Sequence, residues 1–393
     1  MSLAGLIEEV PTQLENVWSW WRGQMPVAER WAYFDHAAVA PLSGPAAETL
    51  RRFATSASQD GDVPWLQWSA AVGTLRDQTA ELTGCDREEV VLVPNTTAGI
   101  NLVAEGFPWK KGDNVIVPEG EFPSNLFPWL NQSVKGVEVR VVPRRDGVVD
   151  VESLLDRIDD STRIIAVSWV GYASGFRVDL EKLVTEAHAQ GVLVFLDAIQ
   201  GLGLYPLDLQ RCDVDFLAAD GHKWLLGPEG AGVAVIRRRH WDRLRPTAVG
   251  WASVQQAHQF SDAPFTLRTD AARFEGGSTN MPGMMSLSAS LEMFLAVRRV
   301  HGEAAVAERI ASRADELKRR LTSGGATMRF GPWSDPMHES GIVTFDVPGC
   351  SPADFRQRAM DQGVVVSCRG GGVRASVHVY NSDEDLERLA GLV

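Results

Sequence analysis

The sequence predicts an α/β protein: a large domain with a mostly parallel seven-stranded sheet flanked by helices, and a small α+β domain at its C-terminal end. Between about residues 46 and 240, seven short apolar runs alternate with helical patterns. Continuous apolar character over four to seven residues is typical of strands buried on both faces. After Met281 a long helical stretch is followed by strands separated by helices, which favours a second unit.

The strands of the large domain are predicted in chain order as EVVLVPN, DNVIVPE, VEVRVVP, RIIAVSWV, VLVFLDA, VDFLAAD and GVAVIRR. The intervening segment VDLEKLVTEAHAQG has apolar residues on one helical face and ends at Gly191, a residue suited to the position after a helix. Strands alternating with helices indicate an open sheet. Functional groups in such sheets lie at the carboxyl ends of the strands.

The C-terminal unit is predicted to contain a long helical stretch over about 284–323, a helix from Ser351 and a closing helix in SDEDLERLAGL. We therefore expect three parts: an N-terminal arm over 1–30 that packs with the small domain, a large ligand-binding domain over 31–283, and the small domain over 284–393.

Composition excludes several classes of function. The chain has 393 residues and a net charge of −13, which disfavours a nucleic-acid partner. No run approaches the ~18 apolar residues of a membrane span, and no signal-peptide pattern is present, so a cytoplasmic enzyme is expected. The four cysteines are scattered without zinc-ligand spacing, which predicts no metal site and suits a reducing compartment.

Two predicted strands end in residues of opposite charge. Asp197 ends the run VLVFLD. Lys223 comes shortly after the run FLAAD and lies 26 residues after Asp197. If the two strands are neighbours, a carboxylate and an amine reach the same crevice. Buried ionisable groups need partners, so a structural Asp–Lys ion pair is the alternative.

Two further segments point to a ligand. In VPNTTAG a strand is followed by Thr96 and Thr97 at the start of a helix, an arrangement that binds anions, although a simple helix cap has the same pattern. Phe122, in GEFPSN, is either a core residue or a flat surface for an aromatic ligand. Together with a carboxylate and a lysine, these features predict a phosphorylated heteroaromatic aldehyde: pyridoxal 5′-phosphate.

The segments LDAIQ and ADGHKW resemble the Asp-x-x-Gln and Ser-x-His-Lys signatures of the class V aminotransferase superfamily of fold-type I enzymes. That superfamily includes cysteine desulfurases, kynureninase and isopenicillin-N-epimerase-like proteins. The resemblance extends from YFDHAAVAP at 33–41 to VRASVHVYNSDEDLERL near the C-terminus.

The resemblance implies roles for the residues at the centre of the site. Lys223 would bind the cofactor as a Schiff base and then move protons. Asp197 would pair with the pyridine nitrogen, Phe122 would stack on the ring, and Gln200 would hydrogen-bond the ring oxygen.

The resemblance also implies contacts at the edges of the site. The residues expected at the phosphate are Thr96, Thr97 and His222. Ser278 and Thr279, in FEGGSTN, would reach the phosphate of a neighbouring subunit, which implies a homodimer with shared active sites. Arg374 would bind the substrate α-carboxylate, and His36 would line the substrate pocket.

Three departures from the family pattern narrow the chemistry. Phe122 stands where cysteine desulfurases have a histidine, and phenylalanine cannot transfer a proton. Cys368 lies only six residues before Arg374, with three glycines in place of the desulfurase cysteine loop, so it is interpreted as a small core residue. Tyr172 replaces an asparagine near the ring oxygen. Asp220 replaces a serine near the phosphate, and it is expected to point away or to cap the following turn, since a carboxylate repels phosphate.

The predicted function is a cytoplasmic, dimeric, pyridoxal-phosphate-dependent enzyme for a small amino acid, with transamination as the main prediction. The alternatives within the superfamily are a C–S or C–C lyase and an epimerase, and the missing cysteine loop disfavours desulfuration. From a different class, the alternative is a silent ligand-binding homologue, but such a protein has no use for the amine of Lys223.

Overall fold

A computed structural model describes residues 9–259 and 264–393, together with Gly5, Ile7 and Ser261. Its strands are β1 (Ala32–Tyr33), β2 (Val90–Val93), β3 (Asn114–Pro118), β4 (Glu138–Val142), β5 (Thr162–Ser168), β6 (Leu193–Asp197), β7 (Phe216–Asp220), β8 (Gly232–Ile236), β9 (Thr327–Met328), β10 (Ile342–Asp346), β11 (Val364–Val365), β12 (Ser367–Arg369) and β13 (Gly372–Ser376).

The α-helices are α1 (Leu14–Gly23), α2 (Gly44–Asp60), α3 (Trp65–Thr83), α4 (Thr96–Gly106), α5 (Phe127–Leu130), α6 (Val151–Leu155), α7 (Leu180–Ala189), α8 (Met281–His301), α9 (Ala305–Ser323), α10 (Pro352–Asp361) and α11 (Asp383–Ala390). No helix in the described part of the chain has the length and apolar character of a membrane span.

The predicted seven-stranded sheet is confirmed. Its strand order is β2-β8-β7-β6-β5-β3-β4, and each of the seven strands corresponds to one of the predicted apolar runs. The interior strands β3, β7 and β8 are buried along their whole length, whereas the edge strand β4 is partly exposed. The continuous apolar runs are therefore the sequence counterpart of a sheet covered on both faces.

One strand, β8, runs antiparallel to both of its neighbours. The connection between β7 and β8, residues 221–231, contains no helix. Parallel strands need a long crossover, usually helical, so this short connection returns the chain in the opposite direction. As a result, the carboxyl ends of β2 and β7 both lie beside Gly232 at the start of β8.

Helix α4 follows β2 and packs unusually close to the sheet. A Cβ atom at Gly99 would lie 2.6 Å from the Ala218 Cβ atom of β7, so only glycine fits there without displacing the strand. This close approach holds the N-terminus of α4 beside the end of β7, where the backbone N–H of Asp220 donates to Thr96 Oγ1 at 2.9 Å.

The long helical stretch predicted over about 284–323 is two helices, α8 and α9. The helix breaks at Gly302, whose φ of +87° is incompatible with a continuing right-handed helix. The other helix predictions hold: Gly191 takes a φ of +74° after α7, and the Ser351 side chain caps α10 by accepting from the Asp354 N–H.

The C-terminal part contains an antiparallel four-stranded sheet in the order β12-β13-β10-β9. The N-terminal segment contacts this part at two places. Arg22 of α1 donates to both carboxylate oxygens of Asp385 in α11, at 2.6 and 3.2 Å. Strand β1 pairs in parallel with β11. The boundaries at residues 30/31 and 283/284 stay predictions.

Candidate active site

A cavity of about 260 Å³ lies at the carboxyl edge of the large sheet. The residues that line it come from the ends of β2, β6 and β7, from the loops after β1, β3 and β5, and from β12 and β13: Ala37, Ala38, Val39, Asn95, Thr96, Thr97, Phe122, Ser124, Tyr172, Asp197, Ile199, Asp220, His222, Lys223, Arg369 and Arg374. Larger cavities of about 670 and 650 Å³ lie elsewhere, but neither is lined by Lys223 or Asp197. Chemistry rather than volume therefore identifies the candidate site.

Asp197 is the last residue of β6, and its side chain is buried at 2 % exposure. Its only hydrogen bond among the described residues comes from the backbone N–H of Ile199, 3.1 Å from Oδ1. Burial raises the pKa of Asp197 to about 6, and the backbone hydrogen bond and the positive charge of Lys223 offset only part of that rise. The carboxylate thus retains capacity for a further hydrogen-bond donor or cation.

Lys223 lies in the helix-free connection after β7 and is 7 % exposed. Its ammonium nitrogen lies 5.4 Å from the centre of the Phe122 ring. Burial lowers the pKa of Lys223 to about 8; Asp197 raises it, and the positive charge of Arg374 lowers it further. No carboxylate of the described residues forms an ion pair with this amine, so the structural Asp–Lys ion pair considered as an alternative is absent.

The predicted anion cradle lies at the start of α4. The Asn95 side chain caps the helix by accepting from the Ala98 N–H at 2.8 Å. Thr96 Oγ1 accepts from the Asp220 backbone, and Thr97 Oγ1 donates to Ser124 Oγ at 2.8 Å. The backbone N–H groups of the first helical turn have no partner within the helix, so this end of the cavity favours an anion.

Phe122 and Tyr172 form the aromatic side of the cavity. Their rings meet edge to face, with centroids 5.4 Å apart at 76°. Phe122 is 39 % exposed, which is unusual for a core phenylalanine and consistent with a ring presented to a ligand. The prediction of a flat aromatic surface at the site therefore has a structural basis.

Arg374 of β13 is 1 % exposed and lines the same cavity. It donates to Asp35 Oδ1 at 3.1 Å, to the Tyr172 carbonyl at 2.8 Å and to Ser367 Oγ at 3.2 Å. Burial lowers the pKa of Arg374, and Asp35 partly opposes that shift. A substrate carboxylate at this position would compete with Asp35 for the guanidinium group.

Four predicted site residues do not line the cavity, and Gln200 and His36 are two of them. Gln200 accepts from Trp224 Nε1 at 2.7 Å and donates to the Ala37 carbonyl at 3.0 Å, so both ends of its amide are already used. His36 bonds the Ser376 carbonyl at 2.8 Å and the Tyr380 hydroxyl at 2.6 Å. Burial lowers the pKa of His36 to about 4. Tertiary packing thus engages both side chains, and the contacts of Gln200 with the ring oxygen and of His36 with substrate stay predictions.

Ser278 and Thr279 also lie away from Lys223. They line a separate cavity that includes Arg76, Trp251 and Glu275. Their predicted contact with the phosphate of a neighbouring subunit stays a prediction.

Three charged residues at the site were missed by the sequence reasoning. Glu121 accepts from both the backbone and the hydroxyl group of Ser168, and burial of its carboxylate raises the pKa to about 7. Asp35 and Arg369 flank Arg374. An acidic residue directly before Phe122, and a second arginine five residues before Arg374, were the signals available in the sequence.

The donor set fits pyridoxal 5′-phosphate in most respects. A buried amine without an ion-pair partner and a buried carboxylate with unused acceptor capacity line one cavity, and helix-terminal N–H groups lie at its edge. The Asp220 carboxylate at the anion end is the one feature that does not fit. These features define the fold-type I class of pyridoxal-phosphate proteins.

The comparisons with known proteins identify the family. A sequence model of the aminotransferase class-V family matches residues 32–389, so this chain belongs to that family, and the predicted cofactor is the one that the family uses. A probable cysteine desulfurase of Methanothermobacter thermautotrophicus is 29% identical over 94% of this chain and 95% of its own length. A cysteine desulfurase of Pectobacterium carotovorum subsp. carotovorum is 31% identical over 83% of this chain and 82% of its own.

Among solved structures, the apo cysteine desulfurase of Thermococcus onnurineus NA1 superposes with a TM-score of 0.83 at 25% identity. That match covers 95% of this chain and 96% of the other. The predictions of family and fold class are thereby confirmed. The main functional prediction is less well supported, because the relatives are named for C–S bond cleavage and not for transamination.

Proposed function

We propose that this protein is a pyridoxal-phosphate-dependent lyase that cleaves the Cβ–S bond of a cysteine-class amino acid and releases the sulfur without a protein thiol as acceptor. The names of the relatives support C–S cleavage. With L-cysteine as substrate, the balanced reaction consumes one water and yields pyruvate, ammonia and hydrogen sulfide.

One observation supports the release of sulfur without a protein thiol: no cysteine lines the cavity. The chain has four cysteines, all within the described residues, and none is among the cavity residues. Cys368 Sγ lies 3.2 Å from the Pro352 carbonyl, beside the three glycines at 370–372. Burial raises the pKa of Cys85 to about 11 and that of Cys212 to about 12, so neither is a ready nucleophile.

The remaining chemical roles are assigned to individual residues of this chain. When bound, the cofactor supplies an electron sink that weakens bonds at the substrate Cα atom. Lys223 is the group that can accept a proton there, because its lowered pKa leaves a sizeable neutral fraction near pH 8. Phe122 cannot take this role. Arg374 would orient the substrate carboxylate, and Asp35 balances its charge in the absence of substrate.

The test uses the holoenzyme with L-cysteine and L-cystine, with and without an α-keto acid. From L-cysteine we expect pyruvate, ammonia and sulfide in equal amounts, and from L-cystine pyruvate, ammonia and cysteine persulfide in equal amounts, both unaffected in Cys368→Ser. Lys223→Ala should lose at least about 10³-fold in rate, because a nucleophile and proton carrier are removed together. Alanine as the carbon product together with lost activity in Cys368→Ser would indicate desulfuration through a protein thiol. Pyridoxamine formation would indicate a transaminase, and no turnover at all would indicate a silent homologue.

We further propose that the active unit is a homodimer. The support is the placement of Ser278 and Thr279 outside the cavity that contains Lys223. Light scattering should give twice the chain mass, and Ser278→Ala combined with Thr279→Ala should weaken cofactor binding. A monomer that retains full activity contradicts this proposal.

A further inference from the structure

Asp220 lies at the anion end of the active-site cavity. It is the last residue of β7, and its side chain is only 4 % exposed. Its backbone N–H donates to Thr96 Oγ1, which fixes the residue against the start of α4. Asp220 lines the same cavity as Thr96 and Thr97. The end of β7 is therefore held against the helix, with Asp220 beside the residues that are predicted to bind the phosphate.

Two ionisable groups of the described residues interact with the Asp220 carboxylate: the His222 imidazole and the Lys223 amine, whose pKa the carboxylate raises. Asp220 Oδ2 lies 2.9 Å from His222 Nδ1, although the geometry is not that of a directed hydrogen bond. Asp220 Oδ1 also accepts from the His222 backbone N–H at 3.4 Å, so the predicted turn cap is present as well. The other ionisable groups that line the cavity are Asp197, Tyr172, Lys223, Arg369 and Arg374.

This arrangement places a negative charge where the sequence and the helix terminus indicate a phosphate. A phosphate monoester carries about −1.5 to −2 charges near pH 7. Like charges in a partly buried site repel strongly, because water screens them poorly. His222, when protonated, is the cation placed to compensate for the carboxylate.

We propose that Asp220 weakens the binding of the cofactor phosphate and that His222 limits this effect, so that the protein holds its cofactor in a readily exchangeable form. This inference rests on the proposed function only in assuming that pyridoxal phosphate is the ligand. The Asp220–His222 pair then sets how strongly the cavity prefers pyridoxal phosphate over unphosphorylated pyridoxal.

The experiment measures dissociation constants of the apoprotein for pyridoxal phosphate and for pyridoxal, from the absorbance of the bound aldehyde. Asp220→Ser and Asp220→Asn should each bind pyridoxal phosphate about tenfold or more tightly than the wild type does. The affinity for pyridoxal should change far less, because the effect of Asp220 on the Lys223 amine is common to both aldehydes. His222→Gln should weaken the binding of pyridoxal phosphate, and the double variant Asp220→Asn/His222→Gln should recover the lost affinity. Asp242→Asn, at a fully exposed aspartate, controls for the change in net charge.

The dissociation rate of the phosphorylated cofactor should fall in Asp220→Ser in proportion to the affinity, and thermal denaturation of each apo variant verifies folding. An unchanged affinity for pyridoxal phosphate in both Asp220 variants would overturn the inference. So would an equal change for both aldehydes, because the effect would then not act on the phosphate. If the wild type binds pyridoxal phosphate but does not turn over cysteine, only the proposed reaction fails. If neither the wild type nor any variant binds it, both proposals fail.

Discussion

Two buried aspartates on neighbouring strands of the large sheet have opposite environments. Asp197 ends β6 at the carboxyl edge, whereas Asp215 precedes β7 at the other edge. Asp215 accepts from His188 Nε2, His240 Nε2 and Arg239 Nη2, each at 2.7 Å, and from the Val194 N–H at 2.8 Å. Asp197 accepts one backbone hydrogen bond among the described residues.

As a consequence, the pKa values of the two carboxylates shift in opposite directions. Although burial raises the pKa of Asp215, its hydrogen bonds outweigh burial and leave the pKa well below the usual range. Burial alone dominates at Asp197 and raises the pKa. A buried carboxylate whose acceptor capacity is used stabilises the fold, while one with unused capacity is available to a ligand. The following substitutions test this distinction.

The largest effect is expected on activity. Asp197→Asn in the holoenzyme should lower kcat/KM by about 10²–10³-fold, because the group that would face the pyridine nitrogen loses its charge. Asp215→Asn is the matched control and should retain activity per folded molecule. Steady-state kinetics at saturating cofactor measure both, and comparable losses in the two variants would refute the division of roles.

The second effect is on stability, where the substitution of Asp215 is expected to matter more than that of Asp197. Asp215→Asn should lower the free energy of unfolding by about 3 kcal/mol, since the guanidinium group of Arg239 and the two histidines lose the buried carboxylate that accepts their hydrogen bonds. Asp197→Asn in the apoprotein should be neutral or stabilising, because it removes a desolvated charge. Urea denaturation of the apoproteins gives both values.

The control for this stability effect is Asp213→Asn. Asp213 also pairs with Arg239, but its side chain is 44% exposed. A surface pair is worth about 0–1 kcal/mol, so this variant should be nearly unchanged. A loss at position 213 as large as that at position 215 would show that burial is not the cause.

The third effect depends on pH. The pKa of Asp197 is about 6 in the folded protein against an ordinary 3.8, so ionisation of this group disfavours folding as the pH rises from about 4 to 6. Over that interval Asp197→Asn should gain about 2 kcal/mol of stability relative to the wild type. Asp215 has a lowered pKa, so its stabilisation is present above pH 4 and is lost only as the pH falls below that. A gain for Asp197→Asn that does not vary with pH would contradict the raised pKa.

The smallest effect concerns Glu121, the second carboxyl group near Asp197. Glu121→Gln should reduce kcat/KM about fivefold, because an amide can accept only one of the two hydrogen bonds from Ser168 that hold the loop before Phe122. Glu119→Gln, at an exposed position of the same loop, should have no effect. Equal activity of the two variants and the wild type would show that the Glu121 contacts do not position Phe122.

Much of the fold could be predicted because the signals are local. The seven apolar runs, Gly191 after α7 and the cap at Ser351 depend on residues close together in the chain. The split between α8 and α9 was also signalled, by Gly302. The antiparallel direction of β8 follows from a connection too short for a helix, and the sequence contains that information too.

The sequence by itself determined which residues carry chemistry, namely an aspartate and a lysine at strand ends and two threonines at a helix start. Only the tertiary structure decided which buried polar groups are engaged by the fold. Trp224 and Tyr380 engage Gln200 and His36, whereas Asp197 and Lys223 keep unused capacity, and Asp220 lines the cavity. The physical reason is that hydrogen-bond partners of buried groups come from elements far away in the chain, so their saturation is set by packing and not by local pattern.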